Sequence, residues 1–278
     1  MNKQQTRLFF AGFGYTARKL AEILPAPAKL YATARSEEQA ERLRGEGVEP
    51  VLLGRDTPPE HAAWLISAPP DEEGCPIQRA FAAHAKSASW IGYLSTTGVY
   101  GDLGGRWAFE WSAPNPQSEK GGRRAQAEAD WLSTHGPVHI FRLPGIYGPG
   151  RSALDRVTSD KARAIIKEGQ VFSRVHVEDI ARCLMASLER PNPGRVYHPC
   201  DDWPAPPQDV LFHAADLLGV ARPRAVPFEE AELSKMAQRF YEECKRISNA
   251  RTKSELGWYP KYPDYQTGLR AILDAEHT

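Results

Sequence analysis

Gly12-Phe13-Gly14-Tyr15-Thr16-Ala17 carries the spacing Gly-x-Gly-x-x-Ala, which suits holding a pyrophosphate on backbone N–H groups. Gly12 would make the sharp turn, Gly14 would let backbone approach the phosphates, and Ala17 would keep helix close to strand. An ordinary βα turn has the same pattern, so the surroundings must decide. Further on, the sequence reads Thr33-Ala34-Arg35-Ser36, with no acidic residue before Glu37. An acid at this strand end favours a free ribose 2′-hydroxyl, whereas Arg35, with Ser36 beside it, suits the 2′-phosphate of NADP; NAD is the less favoured cofactor. A third group, Ser95-Thr96-Thr97 followed by Tyr100, supplies hydroxyls of the kind that bond a reacting oxygen or move a proton.

The elements that must position these residues alternate along the chain. Leu8 to Ala11 is an apolar run typical of a strand buried on both faces, and Ala17, Leu20, Ala21 and Leu24 follow at helical spacing. Strands are expected at Lys29–Ala34, Val48–Leu53, Ala63–Ser67 and Trp90–Ser95, with helices capped by Ser36 and spanning Ile77–Ala88. This βα alternation predicts an α/β fold, a doubly wound parallel sheet of the Rossmann type. Residues 1–150 form the dinucleotide-binding domain; residues 151–278 contribute to the sheet and build a small C-terminal substrate lobe. In that second part the pattern predicts helices over Asp179–Leu188, Pro206–Leu218 and Glu229–Glu243 and a strand at Val196–His198. Ligands of such a sheet lie beyond the carboxyl ends of its strands, which brings Ala68 and Pro69 into the cofactor path with Gly12, Arg35 and Thr96.

Composition narrows the classes. Lys and Arg total 35 against 35 Asp and Glu, so no long-range basic field exists for nucleic acid or an anionic membrane. The cysteines at 75, 183, 200 and 244 have no zinc-like spacing, and reduced thiols in a cytoplasmic protein with no metal site are expected. No apolar run approaches a membrane span, and neither signal peptide nor transmembrane helix is expected. His61, His84, His135, His139, His198, His213 and His277 show no ligand spacing and are expected at the surface or satisfied in the core.

Tyr93-Leu94-Ser95-Thr96-Thr97-Gly98-Val99-Tyr100-Gly101 resembles the Ser/Thr-rich strand end and Val-Tyr-Gly of the extended short-chain dehydrogenases/reductases, the NAD(P)-dependent epimerase/dehydratase branch. Phe141-Arg142-Leu143-Pro144-Gly145-Ile146-Tyr147-Gly148-Pro149 is similar to that branch's sixth-strand motif. The resemblance implies that Pro144, Gly145 and Ile146 touch the nicotinamide half of the cofactor. Val175-His176-Val177-Glu178-Asp179-Ile180 resembles the segment that opens a helix of the substrate lobe, and it is the one histidine motif in the chain. One departure matters. The family pairs Tyr and Lys four residues apart, Lys lowering the Tyr pKa so that it serves as base. Here, with Glu128 fixing the alignment, Lys120 stands for the Tyr and Arg124 for the Lys.

The resemblance and the residues together imply an NADP-dependent oxidoreductase or epimerase/dehydratase-like enzyme acting on a hydroxylated, sugar-like small molecule. Thr96 would hold the reacting oxygen, Arg124 the nicotinamide ribose, and Tyr100 would move the proton. Trp107, in the aromatic loop Gly101–Pro116, with Arg151 and Arg174, are the substrate-side candidates. The missing Tyr supports an alternative, an NADP-binding redox sensor or scaffold without catalysis. A homodimer through helices at Glu119–Thr134 and Ala153–Lys167 is the assembly the family implies.

Overall fold

The computed structural model describes residues 6–159 and 162–276, so His277 lies outside the described residues. Along the first half run β1 (Thr6–Ala11), α1 (Tyr15–Ile23), β2 (Ala28–Ala34), α2 (Glu37–Gly45), β3 (Glu49–Leu52), β4 (Ala63–Ile66), α3 (Pro76–Phe81), β5 (Trp90–Thr96), β6 (Trp107–Ala108), α4 (Glu119–Ser133) and β7 (Val138–Leu143). The second half adds β8 (Gly145–Tyr147), α5 (Ala153–Val157), β9 (Arg163–Ile166), β10 (Arg174–His176), α6 (Val177–Glu189), β11 (Val196–Tyr197) and α7 (Pro207–Leu218). It ends with β12 (Arg224–Pro227), α8 (Lys235–Glu242), β13 (Arg246–Ile247), α9 (Ala250–Leu256) and α10 (Tyr265–Glu276).

Seven strands form one sheet in the order β11-β7-β5-β4-β1-β2-β3, every neighbouring pair parallel. This is the doubly wound α/β sheet that the alternation predicts. The order reverses between β1 and β4, whose ends meet in register at Ala11 and Ile66. At that reversal the connections leave in opposite directions and open a crevice beyond the strand ends.

Alternation along β1 assigns its side chains to two layers. Leu8 and Phe10 pack with Leu20 of α1 and with Ile180 and Leu184 of α6. Phe9 and Ala11 pack on the other face with Ile77 and Phe81 of α3 and Ala127 and Trp131 of α4. The helix opened by His176 therefore belongs to the sheet's helical layer and not to the lobe, because its apolar stripe is needed beside α1. The second half has a separate hydrophobic core, in which Leu154 of α5, Ala164 of β9, Leu211 of α7 and Leu269 of α10 meet.

Other expectations are also corrected. The segment Ala153–Lys167 is not one helix. Ser152 and Asp155 close a capping box on the five-residue α5, after which Arg163-Ala164-Ile165-Ile166 pairs as a strand with β12. The β-branched pair Ile165-Ile166 suits that pleated position better than a helix. The helix read over Glu229–Glu243 is the shorter α8.

Candidate functional site

The turn after β1 is held from both sides. Gly12 adopts φ +100°, a region where side chains are strained, and its N–H donates to Thr33 Oγ1 at 3.0 Å. Ser67 Oγ donates to the Gly12 carbonyl at 2.9 Å, and a Cβ on Gly12 would stand 2.5 Å from that same oxygen. Gly14 caps α1 with open space around it: a Cβ built there meets nothing within 4 Å. Free N–H groups at the start of α1 face this space.

Across the crevice, α4 sits unusually close to the end of β5. Ser118 caps it by accepting from Gly121 N–H at 3.2 Å, and a Cβ on Gly121 would lie 2.8 Å from the Gly98 carbonyl. Two glycines in a first turn weaken a helix, but here they let it approach the strand end and deliver Arg124 to the crevice. Arg124 Nη1 donates to the Leu94 carbonyl at 2.9 Å and to Tyr93 Oη at 3.2 Å. Thr96 Oγ1 accepts from Gly98 N–H at 3.2 Å, which leaves its own O–H free to donate.

The result is a pocket of about 400 Å³ beyond the ends of β1, β4, β5 and β7. Of the expected site residues, Gly14, Tyr15, Thr16, Thr96, Arg124, Pro144, Gly145, Ile146 and Arg151 line it. Ser95 from the hydroxyl group at the end of β5 and Ser67 from the end of β4 line it too, and Leu94 and Leu143 add apolar wall outside the expected site residues. Gly12 shapes the turn behind the pocket, and Phe13 packs on Phe10 with ring centroids 5.1 Å apart. Ala68 follows β4, its N–H on the Ala11 carbonyl at 3.1 Å; neither it nor Pro69 reaches the lining.

Arg35 lies at the end of β2, outside the pocket, its backbone N–H on Gln39 Oε1 at 3.0 Å. Its guanidinium forms no ion pair among the described residues, while nearby Arg55 is taken by Glu37 and by Asp56. Ser36 caps α2, accepting from Gln39 N–H at 3.2 Å, so its oxygen already has a partner.

Three site expectations are corrected by position. Tyr100 is 1% exposed and points into the core, where Arg142 Nη1 donates to its oxygen at 2.7 Å and His198 Nε2 lies 2.6 Å away. Burial pushes the phenol up to about 12, with Arg142 pulling the other way, so it is held as the neutral acid and not poised as a base. Arg174 Nη1 is spent on the carbonyls of Phe172, at 2.8 Å, and Ala205, at 3.0 Å. Trp107, 47% exposed, sits on β6 paired with β13 and does not line the pocket. Lys120, at the family's Tyr position, is exposed.

The feature that reading the sequence missed is a buried polar chain below the pocket. Ser95 donates to Glu128 Oε1; Arg142 grips the same carboxylate through Nε at 3.1 Å and Nη2 at 2.7 Å. Nη1 of Arg142 continues to Tyr100, and His198 Nδ1 donates to the Ser248 carbonyl at 2.7 Å. With that tautomer Nε2 is free to accept the Tyr100 proton. Burial holds His198 down to about 3, so the ring stays neutral. The signal for this chain was Arg142 inside Val138-His139-Ile140-Phe141-Arg142-Leu143, since a charge in a wholly buried strand requires a partner.

Solved structures with this architecture include a dTDP-glucose 4,6-dehydratase from Bacillus anthracis in complex with NAD, 16% identical, TM-score 0.72, covering 99% of this chain and 97% of that one. The RMD protein of Pseudomonas aeruginosa, complexed with NADPH, is 18% identical with TM-score 0.68, covering 97% and 98%. The chain has the fold of the extended short-chain dehydrogenases/reductases, epimerase/dehydratase branch. It belongs to one family with a conserved protein of unknown function from Silicibacter pomeroyi, 46% identical, TM-score 0.90, covering 99% of this chain and 100% of that one. No protein-family model matches the chain. Among curated proteins, it is 32% identical over 156 residues to a 3-diazoavenalumate denitrifying reductase from a Streptomyces species, covering 52% of this chain. It is 27% identical over 253 residues, 79% of this chain, to a 4-hydroxy-2-methyl-3-oxo-4-farnesyl-3,4-dihydroquinoline-1-oxide ketoreductase from Stigmatella aurantiaca. The chain spans about half the length of the first, 51%, and 75% of the second.

Proposed function

We propose that this chain is an NADP-dependent oxidoreductase acting on a hydroxylated or carbonyl-bearing small molecule, the sugar-like substrates of the epimerase/dehydratase branch included. One observation carries the reading: a single pocket joins the glycine-rich turn to Thr96, Arg124 and Pro144-Gly145-Ile146. The residues fit a dinucleotide, because the space over Gly14 is open and the N-terminus of α1 faces it. When bound, the nicotinamide supplies hydride transfer.

The protein's own residues then have distinct tasks. Thr96 donates a hydrogen bond from its hydroxyl to the substrate oxygen. Arg124, fixed on Leu94 and Tyr93, presents its remaining N–H groups to ribose hydroxyls. Arg35 meets the adenosine 2′-phosphate, a role its unpaired guanidinium suits. Pro144, Gly145 and Ile146 form the wall against the nicotinamide. The names of the two curated relatives, a reductase and a ketoreductase, support redox chemistry.

A second reading is favoured by Tyr100 and Lys120. One is buried and the other exposed, so the family's tyrosine base has no replacement at its own position, as a binding protein without catalysis would show. Incubation with NADPH and a panel of ketones and quinones, and with NADP⁺ and a panel of sugars and alcohols, separates the two by NADPH absorbance. Turnover that falls at least tenfold in Thr96→Val supports the enzyme. No turnover anywhere in the panel, with NADPH bound, supports the sensor or scaffold.

A further inference from the structure

Two arginines, Arg124 and Arg151, line the pocket. Arg18 on α1 is paired with Glu46 and lies over the Phe13 ring at 4.8 Å. Arg124 is anchored on Leu94 and Tyr93. Arg151 lines the pocket, is exposed, and forms no ion pair among the described residues. Its guanidinium stands over the Tyr15 ring, 5.9 Å from the centroid.

The backbone is built to keep these two residues together. Gly148-Pro149-Gly150-Arg151 is a tight turn in which Arg151 N–H donates to the Gly148 carbonyl at 3.0 Å and Gly148 N–H to the Arg151 carbonyl at 3.3 Å. Pro149 followed by Gly150 at φ +68° is the sequence such a turn demands. Tyr15 reaches over from the glycine-rich turn and donates its hydroxyl to the Pro149 carbonyl at 3.0 Å, joining segments 134 residues apart. It fits only because residue 148 is glycine: a Cβ there would stand 2.4 Å from Tyr15 Oη. Tyr15 and Arg151 therefore bridge the pocket beside Gly14, at the place where a dinucleotide's diphosphate would rest.

We infer that Tyr15 and Arg151 form a clasp over the cofactor's diphosphate, Arg151 giving the cation that the glycine-rich turn lacks and the Tyr15–Pro149 bond closing over the bound ligand. This moves Arg151 from the substrate to the cofactor, and it rests on the dinucleotide reading of the pocket. An arginine pairs two phosphate oxygens through its planar fork, and this geometry leaves the fork free.

Binding of fragments separates the phosphates. Equilibrium titrations of wild type, Arg151→Ala and Arg35→Ala use NADPH, 2′-phospho-ADP-ribose and 2′,5′-ADP, the last having the 2′-phosphate but no diphosphate. Arg151→Ala is expected to weaken NADPH and 2′-phospho-ADP-ribose by roughly tenfold to a hundredfold, the loss of one charged hydrogen-bonding partner, and to leave 2′,5′-ADP as in wild type. That retained binding also shows that the variant is folded. Tyr15→Phe, which keeps the ring, is expected to speed NADPH dissociation in stopped flow by roughly twofold to tenfold. Unchanged NADPH affinity in Arg151→Ala, or equal losses for all three ligands, overturns the clasp while leaving the cofactor reading in place. An unchanged dissociation rate in Tyr15→Phe overturns the closing bond. Wild type that binds none of the three overturns the cofactor reading and the clasp with it.

Discussion

Arg142 and Glu128 meet fork to fork below the pocket, Nη2 to Oε2 at 2.7 Å, with side chains only 6% and 4% exposed. Ser95, which lines the pocket, bonds to the same carboxylate, so the pair ties β5, α4 and β7 together directly under Thr96. Removing one partner strands a buried charge. Arg142→Met is expected to cost about 3–5 kcal/mol of stability, and adding Glu128→Leu to recover a large part of it. Urea unfolding of the single and double variants measures this; a double variant as unstable as the sum of both singles would show that the pair has no coupling.

Tyr100 is a structural hydroxyl. Tyr100→Phe leaves the His198 ring and an Arg142 N–H short of a partner and is expected to cost roughly 1–3 kcal/mol. NADPH affinity should stay within about twofold, because the ring still fills its place. A fall in dinucleotide binding beyond tenfold, with stability unchanged, would return Tyr100 to the site.

Three buried histidines make the fold sensitive to acid. Burial holds His139 and His176 down to about 4 and His198 to about 3, against an ordinary value of 6.5. In the unfolded chain they bind protons below 6.5, which the folded state refuses. Their stabilising share is therefore complete above pH 6.5 and is lost as the pH falls toward 4 and 3. By pH 5.5 each should cost roughly 1 kcal/mol relative to pH 7.5. The urea midpoint followed over that range tests this, and a midpoint that does not move between pH 7.5 and 5.5 counts against it.

Gly14 separates folding from binding. Its φ of −99° suits any residue, and no atom lies within 4 Å of a built Cβ. Gly14→Val should leave the melting temperature within a few degrees and abolish dinucleotide binding, since the side chain fills the phosphate space. Retained NADPH binding in that variant would place the ligand elsewhere.

The sheet was legible because its strands are short apolar runs separated by glycine and serine turns, and Gly12, Ser36 and Thr96 each stand where the pattern puts a strand end or cap. The glycine-rich turn that borders the pocket was legible for the same reason: local backbone chemistry fixes Gly12 and Gly14. The residues that failed depend on distant segments. Tyr100 follows the strand end, but its direction is set by Arg142, 42 residues on, and by His198, 98 residues on. Arg174 is a cation whose partners are the carbonyls of Phe172 and of Ala205, the latter 31 residues on, a pairing that no spacing encodes. The role of α6 depended on which layer had room beside α1, a question of packing that the amphipathic pattern alone does not answer.

The central claim is that the crevice at the β1–β4 reversal holds NADP through the glycine-rich turn and Arg35. Fluorescence titration of wild type with NADPH and with NADH, repeated on Arg35→Ala, tests it most directly. The account predicts that NADPH binds at least tenfold more tightly than NADH, and that Arg35→Ala removes most of that difference without weakening NADH. Equal affinity for the two, or a preference that survives in Arg35→Ala, would contradict it.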